Sequence, residues 1–459
     1  MNVVEQMKKF VEPKSVAIFG VSRRPNVYHI LENLLSYGYQ GRIYPVNPNA
    51  TEILGVKTYS RIADTTGEIE LAIINLPRSL VPGIVGECVE HGIQSIIIET
   101  QGFADAIDEK GKQLQREIDT LVRESNVRII GPNSLGTANA FTNFSSAYSK
   151  LNMVKIPVGI ICQTGTFFHC FAQSLFIGKG IDLGNACDVG FVESLEYFEQ
   201  DDETKVVALH IEGVRDAKRF FAAAQHIAQK KPVLALKTGR SEHAAAAAQS
   251  HTGSLVGKDE VWEAAMKQTG IIRADDIDEL DDLVRAFSLL PPMKGKKVGI
   301  VSISGGLGII GIDACHRFNL ELAKLSPITM KRINELLPSW LSTGNPVDIW
   351  PAHMVVKQSL TKVLTTTIEA VLNDDEVDAA LLIWNLWQPQ TYALVCQLLP
   401  KLAEAHPDKP LIGCFFGSNA EEGRSKLEAS GRVAVFHTPD RAIRALGRMA
   451  RYSAFRRGL

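Results

Sequence analysis

Three times along this chain a short apolar run ends in a loop of small residues and gives way to a helix-like pattern. Ser15-Val-Ala-Ile-Phe-Gly20 leads into Val21-Ser22-Arg23, and Val158-Gly-Ile-Ile-Cys162 leads into Gln163-Thr-Gly165-Thr166. Lys297-Val-Gly-Ile-Val-Ser302 leads in the same way into Ile303-Ser-Gly-Gly-Leu-Gly308. Strands buried on both faces read as continuous apolar runs, so the alternation predicts parallel sheets covered by helices. The openings lie about 140 residues apart, an ordinary domain size. The spacing therefore predicts three α/β units over 1–145, 146–290 and 296–459, with boundaries near Asn143–Lys155 and in the Pro/Lys/Gly stretch Pro291–Lys297.

Within the first unit, further strands are expected at Gly41–Val46, Leu71–Asn75, Ser95–Glu99 and Val127–Gly131. This is a Rossmann-like order of elements, in which a ligand sits where strand ends meet helix starts. The second unit adds Lys205–Ile211 and Pro232–Leu236, and the third adds Ala379–Trp384 and Pro410–Phe415.

The bulk composition removes several function classes. A formal net charge of −2 gives no global attraction to nucleic acid or an anionic membrane. No run approaches 18 apolar residues, and the opening MNVVEQMKKFVEPK lacks the apolar stretch of a signal peptide. The seven cysteines are scattered, with no C-x-x-C, as expected of free thiols in a reducing cytoplasm rather than of a disulfide frame or a zinc site. No metal site is read on the chain.

The first loop decides between two kinds of ligand. It reads Gly20-Val-Ser22-Arg23-Arg24-Pro25-Asn26 and not G-x-G-x-x-G, and the second strand runs into Val46-Asn47-Pro48-Asn49, with no acidic residue for a ribose. Both features disfavour an NAD-linked oxidoreductase. Backbone N–H groups at a helix start beside two arginines suit a phosphorylated ligand, although a tight turn with solvated arginines would read the same way.

The segment Ser241-Glu-His243-(Ala)5-Gln-Ser250-His251-Thr252-Gly253-Ser254 is the most informative. A histidine among Ser, Thr and Gly sits on a small loop and can act as nucleophile, proton shuttle or metal ligand. No H-x-x-x-H spacing supports the metal reading. His243, eight residues upstream, is the competing candidate.

Taken together these motifs resemble the α-subunit of ADP- or NDP-forming acyl-CoA synthetases, in the succinyl-CoA synthetase superfamily. The resemblance is carried by Gly20-Val-Ser22, Val46-Asn47-Pro48, Asn75-Leu-Pro77, Glu99-Thr-Gln-Gly102-Phe103 and Gly131-Pro-Asn133-Ser-Leu-Gly136. It continues through Gly184-Asn-Ala-Cys-Asp188-Val-Gly190, Ile211-Glu212-Gly213-Val-Arg215-Asp216, Leu236-Lys237-Thr-Gly239-Arg240, Ser-His251-Thr-Gly-Ser, Ser304-Gly-Gly-Leu-Gly308 and Gly344-Asn-Pro-Val-Asp348. The sequence departs from the family at Asn49, where a lysine is common, and at Ser134, where a cysteine usually follows GPN. The resemblance implies a Rossmann-like CoA-binding domain followed by two flavodoxin-like parallel-sheet domains. It further implies CoA contacts at Gly20, Ser22, Arg23, Asn47, Pro48, Pro77, Gln101, Gly102 and Asn133. It implies phosphate held at Gln163, Thr164, Gly165 and Thr166, a phosphorylated His251, and Glu212 orienting that ring. ATP/ADP or GTP/GDP and Mg²⁺ would be carried by an ATP-grasp β-subunit, two copies of each chain assembling. The substrate would be a small carboxylic acid or its CoA thioester. A non-catalytic CoA or acyl-CoA sensor built on the same domains is the alternative. Phe167, Phe168, His169 and Trp350 are candidates for the acid pocket, each as readily explained by packing.

Overall fold

The computed structural model describes residues 2–22, 29–171, 177–244 and 258–458, with the backbone alone at 169–171. The chain forms two compact units, Met1–Ile277 and Asp278–Leu459.

The first unit holds two large sheets and a two-stranded antiparallel pair, Glu52–Ile53 with Val56–Lys57. The first is fully parallel, built from β1 (Ser15–Phe19), β2 (Arg42–Val46), β3 (Leu71–Ile74), β4 (Ser95–Ile98) and β5 (Arg128–Ile130), in the spatial order 2-1-3-4-5. Every residue of β1, β3 and β4 is buried, which is why these segments read as unbroken apolar runs and not as alternating patterns. Helices begin where the sequence supplies caps. Asn2 accepts from Val4 N–H ahead of Val3–Val11, and Asp108 accepts from Gly111 N–H ahead of Glu109–Glu124. The strand order reverses between β1 and β3, so the crevice expected of a doubly wound sheet opens at their carboxyl ends.

The second sheet contains β6 (Thr137–Asn139), β7 (Phe144–Ser145), β8 (Val158–Cys162), β9 (Lys179–Asp182), β10 (Val206–Ile211), β11 (Val233–Lys237) and β12 (Ile272–Ala274), in the order 12-11-10-8-9-6-7. Strands β8 to β12 pair in parallel, while β6 runs antiparallel to β9. The sheet thus takes in Thr137–Asn139, upstream of the boundary read at Asn143–Lys155. Lys179 on β9 is almost fully buried and binds Glu12 (3.1 Å), Asp201 (2.7 Å) and Glu203 (2.7 Å), tying the N-terminal helix to this sheet.

The second unit is one parallel sheet of β13 (Lys297–Ser302), β14 (Glu321–Leu322), β15 (Val347–Asp348), β16 (Ala379–Asn385), β17 (Leu411–Phe416) and β18 (Ala434–Phe436). Its order is 14-13-16-17-18, with β15 beside β13. The helix Ile277–Leu289 faces the C-terminal helix Pro439–Arg456 here through charge. Arg441 binds Asp282 at 2.6 and 2.9 Å, and Arg448 binds the fully buried Glu279 at 3.0 Å.

Candidate functional site

Loops at the carboxyl ends of β1 to β5 gather the residues expected to meet CoA along one edge of the first sheet. Gly20 leaves β1 with φ +96°, and a Cβ there would lie 1.9 Å from the carbonyl oxygen of Asn75, so only glycine lets these two loops touch at the strand-order reversal. A small cleft beside them is lined by Gly20, Ser22, His29 and Asn75. Ser22 offers its carbonyl to His29 Nε2 at 2.9 Å. Arg23 lies outside the described residues.

Asn47 fixes this loop from the side, its Nδ2 donating to Val21 O at 2.8 Å while its Oδ1 accepts from Asn49 N–H at 2.8 Å. Pro48, Pro77 and Gln101 are exposed on the same edge. Gly102, with φ +96°, offers its carbonyl to Arg78 Nη1 (2.9 Å), and Arg78 also grips Asp108 through both guanidinium nitrogens. Asn133 follows the cis Gly131–Pro132 bond with φ +61°, and its Nδ2 reaches Asn185 Oδ1 at 3.4 Å. Asn185 in turn donates to Asp105 at 2.8 Å. Asn133 and Asn185 thereby join the edge of the first sheet to the edge of the second.

The phosphate-loop candidates leave β8, and Glu212 leaves its neighbour β10. The Gln163 Oε1 accepts from the backbone nitrogens of Glu212 (2.8 Å) and Gly213 (3.1 Å), pinning the two loops together. Its Nε2 makes no hydrogen bond among the described residues. Thr164 and Gly165 are half-buried, and Thr166 is the exposed first residue of the helix Thr166–Phe171. Gly165 has no room for a side chain, because a Cβ would meet Leu135 Cγ at 2.6 Å and Asp182 Oδ2 at 3.2 Å. Glu212 is buried, and Lys237 Nζ donates to its carbonyl at 2.9 Å. Burial holds Lys237 down at about 8, Arg273 pushing the same way while Asp259 and Glu212 oppose.

Beneath the Gln163–Thr166 loop lies a carboxyl that the sequence reading missed. Asp182, at the end of β9 and fully buried, accepts from Leu135 N–H (2.7 Å) and Gly184 N–H (3.3 Å), and Cys162 Sγ lies 3.7 Å away. Burial pushes it up to about 7, with the charge of Glu212 adding to the effect. The same burial drives Glu99 well above the usual carboxylate range, with Asp182 contributing. The signal was faint, since Lys179-Gly-Ile-Asp182 does not read as an apolar strand.

His251 lies outside the described residues. His243, the competing histidine, is exposed. Of the pocket candidates, Phe167 is buried and stacks on His210 with ring centroids 4.7 Å apart, and Phe168 is fully buried. The His169 side chain lies outside the described residues, and Trp350 is about half exposed in the second unit.

Two family patterns match the chain: a CoA binding domain over residues 14–140 and a succinyl-CoA ligase like flavodoxin domain over residues 155–287. Acetate–CoA ligase [ADP-forming] II of Archaeoglobus fulgidus is 33% identical over 98% of this chain and 67% of its own length. The α-subunit of acetate–CoA ligase [ADP-forming] II of Pyrococcus furiosus is 32% identical over 94% of each chain. The chain thus spans about two thirds of the former and nearly all of the latter. A solved structure of Candidatus Korarchaeum cryptofilum dinucleotide-forming acetyl-coenzyme A synthetase 1, in complex with phosphate and ADP, superposes with a TM-score of 0.90. It is 26% identical, with 98% of this chain and 97% of that one covered.

Proposed function

This chain belongs to the ADP-forming acetate–CoA ligase family, and on that footing we propose that it is the CoA-binding subunit of an NDP-forming acyl-CoA synthetase. The reaction is acyl-CoA + phosphate + NDP ⇌ carboxylic acid + CoA + NTP. Phosphate attacks the thioester carbonyl, the C–S bond breaks, and the phosphate proton passes to the departing thiolate. The His251 imidazole then takes the phosphoryl group, releasing the carboxylate, and hands it to the nucleotide.

The observation that carries the reading is the Gln163 clamp, which holds a glycine-containing loop beside Glu212 while the Asn133–Asn185 contact brings the CoA-side loops to the same edge. In this scheme Gly20, Ser22 and Arg23 meet CoA phosphates, and Asn47 and Pro48 border the adenine side. Pro77, Gln101, Gly102 and Asn133 border the pantetheine. Gln163, Thr164, Gly165 and Thr166 hold phosphate through backbone and side-chain donors, as suits an anion at a helix start. Glu212 orients His251 and favours its attacking tautomer.

The nucleotide is ADP or GDP on an ATP-grasp β-subunit, two copies of each chain assembling. Mg²⁺ bound there would supply charge neutralisation for the phosphates. The three segments 1–145, 146–290 and 296–459 divide the work into CoA-binding, phosphohistidine and ligase domains. The reading places the reaction in the cytoplasm, where CoA and nucleotides meet. The test is to incubate the chain with γ-labelled ATP and the β-subunit. A base-stable, acid-labile label on His251 is expected, and a label on His243 alone or none at all would refute the assignment.

A further inference from the structure

Between the starts of the helices Phe191–Gln200 and Ala217–Ala228 lies a cleft of about 160 Å³. Gln163 and Asn185 both line it. Gln163 belongs to the loop proposed for phosphate, and Asn185 contacts Asn133 and Asp105 on the loops proposed for the thiol end of CoA. A thioester carbonyl presented to phosphate between those loops has this cleft as neighbouring space for its acyl group.

The walls are of two kinds. Phe191 and Phe220 are buried rings 5.6 Å apart, and Val192 and Val214 are half-buried beside them. Five charged residues also line the cleft, and four of them are already engaged. Asp188 binds Arg128 at 2.8 Å and accepts from Ile129 N–H at 2.9 Å. Glu193 accepts from Gly190 N–H at 3.0 Å and faces Arg128 and Arg219 at 3.8 and 3.7 Å. Asp216 caps its helix by accepting from Arg219 N–H at 3.0 Å. Arg215 is the exception. It meets no carboxylate among the described residues, and its one described hydrogen bond runs from Nη1 to Cys187 O at 2.6 Å. A guanidinium carries five N–H donors in a planar fork that fits a carboxylate, so most of its capacity is left for a ligand.

We propose that this cleft receives the acyl group of the substrate acid and that Arg215 selects acids bearing a second carboxylate at the far end of an apolar chain. The proposal rests on the acyl-transfer reading above and adds the substrate class to it. Because Arg215 is exposed, the selection is modest, about three- to fivefold.

Glutarate and pentanoate test it, since both have five carbons and differ only at the distal end. Ligand-detected NMR titration of the full chain should give glutarate a three- to fivefold lower Kd. Arg215→Met should erase that difference while leaving pentanoate within twofold, Arg215→Lys should restore part of it, and Val214→Trp should weaken both acids by filling the cleft. Equal Kd values in the unaltered chain, binding of neither acid, or discrimination that survives Arg215→Met would overturn the proposal. Labelling of His251 by ATP and the β-subunit needs no acid, so failure of the enzyme reading would show there and not in this titration.

Discussion

Gln163 Oε1 lies 2.8 Å from the backbone nitrogen of Glu212, and this contact helps set the spacing between the loop proposed for phosphate and the carboxylate proposed to orient His251. Gly213 N–H reaches the same atom at 3.1 Å, so among the described residues only the amide oxygen is used. Gln163→Ala would strand two buried donors and should cost about 2–4 kcal/mol of stability. Gln163→Glu keeps an accepting oxygen and should recover most of that loss, yet it sets a negative charge against incoming phosphate. Thermal unfolding should therefore separate Ala from Glu, while the phosphate KM should rise in both.

Glu212→Gln removes the charge and keeps the shape. Phosphorylation of His251 should slow by about 10- to 100-fold, the usual effect of losing a partner that orients an imidazole. His251→Ala should abolish the label and turnover together, while CoA affinity by calorimetry stays within twofold. Unchanged labelling in Glu212→Gln would assign the orienting role elsewhere.

Much of this arrangement was legible because buried parallel strands leave continuous apolar runs. Val158–Cys162 and Lys297–Ser302 have the predicted ends, Ser15–Phe19 stops one residue short of the Gly20 that closed the predicted run, and each feeds a loop that carries polar residues. Strands that break the pattern were not legible. Lys179–Asp182 buries a lysine and an aspartate, and its sequence gives no hint that Glu12, Asp201 and Leu135 will satisfy them. Arg215 was legible only as a member of the Ile211–Asp216 motif and without a role of its own, because its interest lies in the engagement of its neighbours, which is a property of the fold. Asn47 gains a structural role beside the ligand contact expected of it. It braces the first loop through Val21 O, a contact that no motif spacing announces.

Asp182 should make stability depend on pH. Burial raises its folded pKa to about 7 from an ordinary value of 3.8, so the folded state holds a proton that the unfolded state releases in between. Its contribution is fully present below about pH 4 and is lost as pH rises through about 7. Asp182→Asn keeps an oxygen for Leu135 N–H and cannot ionise. Relative to the unaltered chain, its melting temperature should gain on the order of a few degrees between pH 5 and pH 8. A constant difference across that range would remove Asp182 from the titration.

The CoA edge is tested at Ser22, beside the glycine that lets the β1 and β3 loops touch. Ser22→Asp would set a carboxylate where CoA phosphates are proposed to sit, and Kd by calorimetry should rise tenfold or more. Ser22→Ala should cost less, about two- to fivefold, as one neutral hydrogen bond would. Equal weakening by the two variants would point to disruption of the loop and not to charge.

Lys179 tests what holds the second sheet to the N-terminal helix. Its ammonium is almost fully buried beside Asp201 at 2.7 Å and Glu12 at 3.1 Å, and Tyr197 Oη lies 3.2 Å away. Burial alone would lower the lysine pKa, but Asp201 and Glu203 hold it above its ordinary value, so the group stays charged through neutral pH. Lys179→Met fills similar space and leaves the inward-facing Asp201 without its cation, which should cost about 3–5 kcal/mol. For a unit of this size that lowers the melting temperature by on the order of 10 °C. Glu203 contacts the same nitrogen from a side chain 46% exposed, so Glu203→Gln should cost at most about 1 kcal/mol. Combining Lys179→Met with Asp201→Leu removes the stranded charge and should recover a large part of the loss. If the double variant melts no higher than Lys179→Met alone, the defect lies in packing around the methionine and not in the orphaned carboxylate.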